Sequence, residues 1–272
     1  MLEFSPKSYY AWRSRKPSAR QLETEALLVH VREAFELGRG TFGSPRVHAE
    51  LVANGVKIGL NRVANLMHIM GLCVLPRRGY RAQPTESDPL HRVAPNVLAR
   101  DFTATAPNQK WVGDVTRIPT DEGWLYLATM IDLYNREIVG WAMSDRNDQA
   151  LTRRCLNMAL DGCVSTEELL HHTDRGSTYT AGDYRDTLAE HGVTCSMSSK
   201  GNCWDNAVAE SCFATIKKDL VHRHTFKTRA AATTAIFEYI EHFYNRVRRH
   251  SSLDYMTPVQ YREHNAKTAL AA

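Results

Sequence analysis

The stretch Trp111-Val112-Gly113-Asp114-Val115-Thr116-Arg117-Ile118 opens a run of three apolar segments whose reading decides the fold. The other two cover residues 124–133 and 138–143, and the turn-like Thr120-Asp121-Glu122-Gly123 and Tyr134-Asn135-Arg136 separate the three. Apolar, β-branched and aromatic runs broken at these intervals predict adjacent antiparallel strands. Asp114 stands out within the first of them, because a lone carboxylate in an apolar strand is costly unless it is paired or bound to a metal.

Toward the C-terminus the pattern predicts a helix near 148–160, a strand ending near Asp174, a helix near 181–190 and a strand over 193–197. Asp205 or Asn206 can cap a further helix carrying Val208, Cys212, Ile216 and Leu220, and a last helix is expected from about Arg229 to Asn245. A three-strand meander followed by αβαβ matches the order of a ribonuclease-H-like α/β fold, a mixed five-stranded sheet with flanking helices, here over residues 108–272.

Toward the N-terminus, Leu22, Ala26, Val29 and Phe35 recur at near-helical spacing until Gly38 and Gly40 end the pattern. Ser44-Pro45 has the form of a helix start, with Val47 and Leu51 one turn apart before Asn54-Gly55. Asn61 can cap a third helix carrying Val63, Leu66 and Met67 and stopped by Gly71. Three helices in a basic segment suit a small all-α helix-turn-helix domain over 1–75, with 61–70 as its recognition helix. Residues 76–107 are rich in proline and arginine and poor in periodicity, which predicts a basic linker; its Pro76-Arg77-Arg78-Gly79-Tyr80-Arg81 run suits the tracking of phosphates.

Composition agrees with a globular chain of two parts. The 272 residues are 43% hydrophobic, enough to bury one sizeable core and a smaller one. No basic stretch leads into an apolar run at the start, and no window approaches a membrane span, so a cytoplasmic protein is expected. The six cysteines form no CxxC pair, which argues against a zinc site or a disulfide framework. Net charge is uneven: +7 over residues 1–100 (15 Lys and Arg against 8 Asp and Glu), −6 over 101–200 (9 against 15) and +3 over 201–272 (10 against 7). Basic arms around an acidic middle suit a polyanion-binding protein with a metal-binding centre.

Phosphodiester cleavage by two metal ions needs acidic ligands brought together by rigid elements. Asp114 lies inside a strand, Asp174 follows Leu169-Leu170-His171-His172-Thr173 at a strand end, and Glu210 lies on the helix after Gly201-Asn202-Cys203-Trp204-Asp205-Asn206. Any one of them alone reads as a solvated acid. Jointly they have the right spacing, since the 35 residues between Asp174 and Glu210 hold a helix, a strand and a returning loop.

In these phrases the chain resembles the retroviral-integrase-like DDE transposases, specifically the OrfB product of two-frame bacterial insertion sequences. The resemblance is carried by Trp111-Val112-Gly113-Asp114-Val115-Thr116 with Gly123-Trp124-Leu125-Tyr126-Leu127, by His172-Thr173-Asp174-Arg175-Gly176-Ser177, and by the Lys200-Gly201-Asn202-Cys203-Trp204-Asp205-Asn206-Ala207 phrase leading to Glu210-Ser211. Tyr244-Asn245-Arg246-Val247-Arg248-Arg249-His250-Ser251-Ser252-Leu253 resembles the family's C-terminal signature, and 41–51 its helix-turn-helix. The resemblance implies a magnesium-dependent enzyme, with Asp114, Asp174 and Glu210 as catalytic residues and ligands of two Mg2+ ions that Mn2+ can replace. It also implies binding of transposon-end and target DNA, nicking to free a 3′-OH, strand transfer, a homo-oligomer on DNA, and an upstream OrfA-type product fused by frameshift. The chain itself shows no sustained heptads.

Other signals carry less. Gly38-Arg39-Gly40-Thr41-Phe42-Gly43 fits GxGxxG but follows a helix pattern rather than a strand, so a dinucleotide site is rejected. His171 and His172 read as structural, since magnesium prefers oxygen donors. Lys217, two turns after Glu210, is a candidate phosphate contact on the same helix face. Arg248, His250, Arg46, Asn61 and Arg62 are further candidate DNA contacts. Two alternatives stay open on the residues alone: a nuclease that hydrolyses without joining strands, and an end-binding fragment whose carboxylates are idle.

Overall fold

The computed structural model describes residues 6–74, 94–180, 182–199 and 203–271. The chain divides into two compact units, Met1–Pro76 and Arg77–Ala272.

The first unit is all helical, with α1 (Pro6–Arg13), α2 (Ala19–Leu37), α3 (Ser44–Ala53) and α4 (Leu60–Ile69). Ser18 caps α2 in a reciprocal pair with Gln21, the arrangement that satisfies two otherwise orphaned amides. The buried stripe of α2 is Leu27, Val31 and Ala34, whereas Leu22 and Val29, expected inside, are each 54% exposed. The stripe is offset from expectation because α2 is apolar on more than one side, so spacing alone does not select the face. Val47 and Leu51 of α3 and Val63, Leu66 and Met67 of α4 complete this core as expected. The caps differ from expectation: Gly43 precedes α3, Gly59 precedes α4, and Asn61 lies inside the first turn with its side chain exposed. Gly38 ends α2, and the ring of Phe42 passes 2.3 Å from where a Cβ on Gly38 would sit. The GxGxxG-like phrase is therefore a tight helix–helix connection plugged by a buried phenylalanine.

In the second unit β1 (Lys110–Thr120), β2 (Gly123–Asp132) and β3 (Ile138–Ser144) form the antiparallel meander. They are followed by α5 (Gln149–Asp161), β4 (Leu170–Thr173), the short α6 (Ser177–Thr180), α7 (Gly182–Glu190) and β5 (Thr194–Met197). The sheet order is β3-β2-β1-β4-β5, with β4 parallel to both β1 and β5. Asp148 caps α5 by accepting the Leu151 amide at 3.0 Å. α5 can pack closely on the sheet because Gly140 has no side chain: a Cβ there would lie 2.5 Å from the Cys155 carbonyl oxygen. The core on this side gathers Trp111, Ala128, Met130, Leu151, Leu156, Tyr184 and Leu188.

After β5 come α8 (Ala207–Asp219), α9 (Arg229–Glu238) continued by a wider π-type turn over Tyr239–Tyr244, and α10 (Pro258–Ala271). α10 and α1 go beyond the elements expected from the sequence, since neither carries an apolar stripe. Irregular chain occupies part of each edge of the sheet. At β3, the Asn245 carboxamide accepts from the Ile138 amide at 3.0 Å and donates to the Ile138 carbonyl at 3.1 Å. At β5, the Met197 amide reaches the Pro95 carbonyl, and Ser196 Oγ accepts the amides of Val97 and Leu98 at 2.9 and 3.1 Å.

These last contacts alter the reading of 76–107 as linker. Residues 75–93, with the Pro76–Arg81 run, lie outside the described residues; from Ala94 onward the segment packs on the second unit, with Leu98 buried and Ala94 in its core. Asp205 explains why. Expected as a helix cap, it is instead buried and accepts Asn96 Nδ2 at 3.0 Å, Arg100 Nε at 2.9 Å and the Ser199 amide at 2.9 Å. Burial alone would raise its carboxyl, but Arg100 and the Ser199 amide outweigh that and hold it below the ordinary range. Asn206 stands at the cap position of α8 without capping it by its side chain.

Candidate active site

Parallel pairing of β1 with β4 sets Val112 beside His172. Asp114 lies two residues further along β1 and Asp174 just past the end of β4, near enough for the Asp174 charge to act on Asp114. Glu210 projects from the first turn of α8, which follows directly on Asn206, whose side-chain amide lies 3.5 Å from the Gly113 carbonyl. Asp114 feels the charges of both Asp174 and Glu210.

The electrostatics of the site follow from burial. Desolvation raises the Asp114 carboxyl well above the carboxylate range, and the charges of Asp174 and Glu210 push it further up, while its own Val115 amide, at 2.7 Å, and Lys217 oppose them. Asp174 is raised by burial too, against the Gly176 amide that it accepts at 2.9 Å. Glu210 is more exposed and is raised by partial desolvation. Asp132 makes a useful contrast. It is a buried strand acid, pushed up to about 6 by burial, but its two oxygens accept the amides of Asn108 and Tyr134, both at 2.8 Å. Asp132 is thus a turn-forming acid, whereas Asp114 and Asp174 crowd like charge at one sheet end with few donors to offset it.

Such a set fits a hard divalent cation: its donors are carboxylate oxygens, and a cation would offset the desolvation that raises all three and the like charges that raise Asp114 further. Among the described residues, no three His, Cys, Asp or Glu side chains are drawn together as a finished metal cage.

Lys217 lies on α8 as expected, half-buried; burial lowers its ammonium, Asp114 supports the charged form and Arg117 opposes it. His171 and His172 are structural. Burial drops them to about 3 and about 4, His171 pairs with the Tyr184 hydroxyl at 2.7 Å, and His172 is held between Ser196 and Ser198.

In the C-terminal signature, Arg248 and His250, expected as DNA contacts, are both buried. Arg248 is buried, donating from Nε to Asp219 at 2.8 Å, and Asp219 also accepts the Tyr239 hydroxyl at 3.1 Å. His250 is buried edge-on against Tyr244, with ring centroids 5.0 Å apart. Both side chains are committed to the interior. A basic run at a helix end looks like a phosphate contact only until its acidic partner, 29 residues upstream, is brought in. In the first unit, Arg62 is tied to Glu23 of α2 at 2.9 Å, so it fastens α4 rather than pointing outward alone. Arg46 is half-buried on α3 and Asn61 is exposed on α4. Sequence reading misses the contribution of Tyr179, which is fully enclosed near both Asp114 and Asp174; an aromatic five residues after an acid carries no signal of its own.

Comparison with known proteins agrees with this geometry. The integrase core domain family matches residues 104–203, a second integrase core domain family matches 191–258, and an HTH-like domain family matches 22–80. The chain is 43% identical over 259 residues to the insertion element IS600 uncharacterized 31 kDa protein of Shigella sonnei, a match covering 95% of both chains. It is 42% identical over 253 residues to the transposase for insertion sequence element IS904 of Lactococcus lactis, covering 93% of this chain and 99% of that one. To the transposase InsF for insertion sequence IS3A of Escherichia coli it is 38% identical over 267 residues, 97% of this chain and 92% of that one. With the carboxylates placed at the sheet end and relatives matched along nearly the whole length, the chain belongs to the insertion-sequence transposases built on an integrase core.

Proposed function

We propose that Asp114, Asp174 and Glu210 are the catalytic residues, that they hold two magnesium ions, and that the chain nicks transposon-end DNA to free a 3′-OH and joins it to a target strand. The observation that carries this reading is that Asp114 inside β1, partly buried, feels the charges of Asp174 just past β4 and of Glu210 on α8. When bound, divalent ions would neutralise the scissile phosphate and activate the attacking oxygen. The protein positions that chemistry: β1 and β4 fix the two aspartates, α8 aims Glu210, and burial keeps competing water away. The transfer is in line and needs no serine or tyrosine nucleophile. The test supplies pre-cut transposon ends and target DNA to the chain with Mg2+, with Mn2+ and with EDTA. Joined products in both metals and none in EDTA are expected; hydrolysed strands without joined ones would favour the plain nuclease.

Lys217 is assigned to a phosphate near the reacting bond. Lys217→Ala is expected to slow strand transfer about tenfold and Lys217→Glu more, whereas Lys217→Arg keeps most activity because a point charge suffices. Thermal stability should change by no more than about 0.5 kcal/mol. Joining by Lys217→Glu at the parent rate in low salt would remove α8 from the DNA interface.

In the first unit, Arg46 and the exposed Asn61 on α4 are assigned to transposon-end DNA, with Arg62 holding α4 in place. Partners on this reading are a second copy of the chain on the DNA, to bring two ends together, and the upstream OrfA-type product, which would supply the zipper absent from the described helices. The reading places the protein at DNA in the cytoplasm; among the described residues no helix is long and apolar enough to cross a membrane.

A further inference from the structure

α1 buries none of its residues. An isolated helix of eight residues is marginal in water, yet this one presents Tyr9, Tyr10 and Trp12 at 49%, 64% and 69% exposure. Their rings adjoin: Tyr9 and Tyr10 lie 5.4 Å apart at 73°, and Tyr9 and Trp12 lie 6.2 Å apart at 35°. Lys7, Arg13, Arg15, Lys16 and Arg20 surround them, all exposed, and no acidic residue lies between Glu3 and Glu23.

Charge selects the occupant. A second copy of α1 would set the same five cations against their like, whereas a polyanion would neutralise them. Aromatic faces interleaved with cations offer what a nucleic-acid strand needs, a stacking surface for bases and counter-charges for phosphates. The strand must be unpaired, since the bases of a duplex are already stacked on each other along its length.

We propose that α1 and the basic residues after it form a binding site for single-stranded DNA, distinct from α3, α4 and the carboxylates. Tyr9, Tyr10 and Trp12 stack on unpaired bases, and Lys7, Arg13, Arg15 and Lys16 contact the flanking phosphates. The inference rests on the transposase reading only in naming the nucleic acid as DNA.

The test uses the full chain in EDTA, so that catalysis plays no part, and follows the anisotropy of labelled oligothymidylate and of a blunt duplex lacking transposon ends. Trp12→Ala is expected to weaken single-strand binding about tenfold, to leave duplex binding unchanged and, because α1 is exposed, to leave the melting temperature unchanged. Trp12→Phe should keep most of the affinity. The triple substitution Arg13→Ala, Arg15→Ala and Lys16→Ala should lower the salt slope of single-strand binding by about 2. Unchanged single-strand affinity in both Trp12→Ala and the double variant Tyr9→Ala, Tyr10→Ala would overturn the proposal. So would a fall in sedimentation mass in those variants with DNA binding intact, which would make α1 a protein interface. A chain that passes this test but joins no strands with Mg2+ leaves the inference standing and sinks the catalytic reading.

Discussion

Asp114→Asn is expected to abolish both cleavage and joining while leaving the fold intact and the metal-free protein no less stable than the parent. Loss of a ligand from a two-ion site removes several kcal/mol of stabilisation from the developing charge; at about 1.36 kcal/mol per tenfold, that is at least about a thousandfold in rate. Stability should move the other way. In the folded chain the Asp114 carboxyl is raised by burial first and by Asp174 and Glu210 next, so its ionised form opposes folding at neutral pH, and a neutral amide of the same shape relieves that strain. Asp174→Asn should behave alike, and Glu210→Gln should lose activity with less effect on stability because its side chain is more exposed. The measurement pairs a strand-transfer assay with thermal melts in EDTA and in Mg2+. Melting of Asp114→Asn well below the parent in EDTA would make Asp114 a structural acid like Asp132.

Arg248→Ala should be among the most damaging substitutions to stability in the second unit. It leaves Asp219, only 3% exposed at its side chain, with the Tyr239 hydroxyl but without its cation. Stranding one partner of a buried pair costs about 3–5 kcal/mol, which for a unit of this size lowers the melting temperature by roughly 10 °C. Replacing both partners, as Arg248→Met with Asp219→Leu, should recover much of that, since an apolar pair of similar volume carries no stranded charge. A melting temperature for Arg248→Ala within about a degree of the parent, with weakened DNA binding, would instead return Arg248 to the DNA.

The catalytic unit is readable in the sequence because its signals are local. Apolar runs broken by Thr120–Gly123 and Tyr134–Arg136 define the meander, and Asp148 marks the start of α5. Asp114 and Asp174 are legible as candidates from an acid inside an apolar strand and another at a strand end, whereas the setting of β4 beside β1 is seen only in the fold. What sequence spacing hides depends on residues distant in the chain. Arg248 pairs with an acid on α8, Asn245 with a strand more than a hundred residues earlier, and Asp205 with the supposed linker. The offset face of α2 has a different origin: with Leu22 and Val29 on one side and Leu27 and Val31 on another, only the packing of α3 and α4 decides which is inside. α10 leaves little trace in the pattern because it keeps only a few buried residues, Val259 among them.

The partial covering of both sheet edges bears on how such a protein survives in quantity. A bare outer strand is a template onto which another chain can add its own, and repetition of that event produces insoluble fibres. At β3 the Asn245 carboxamide occupies the hydrogen-bonding positions of Ile138 as a peptide unit of an extra strand would, and at β5 the chain around Pro95 and Leu98 does the same with a proline among its members. Neither substitute offers a further ladder of its own. Another chain is thereby denied the Ile138 and Met197 positions as a place to begin sheet pairing.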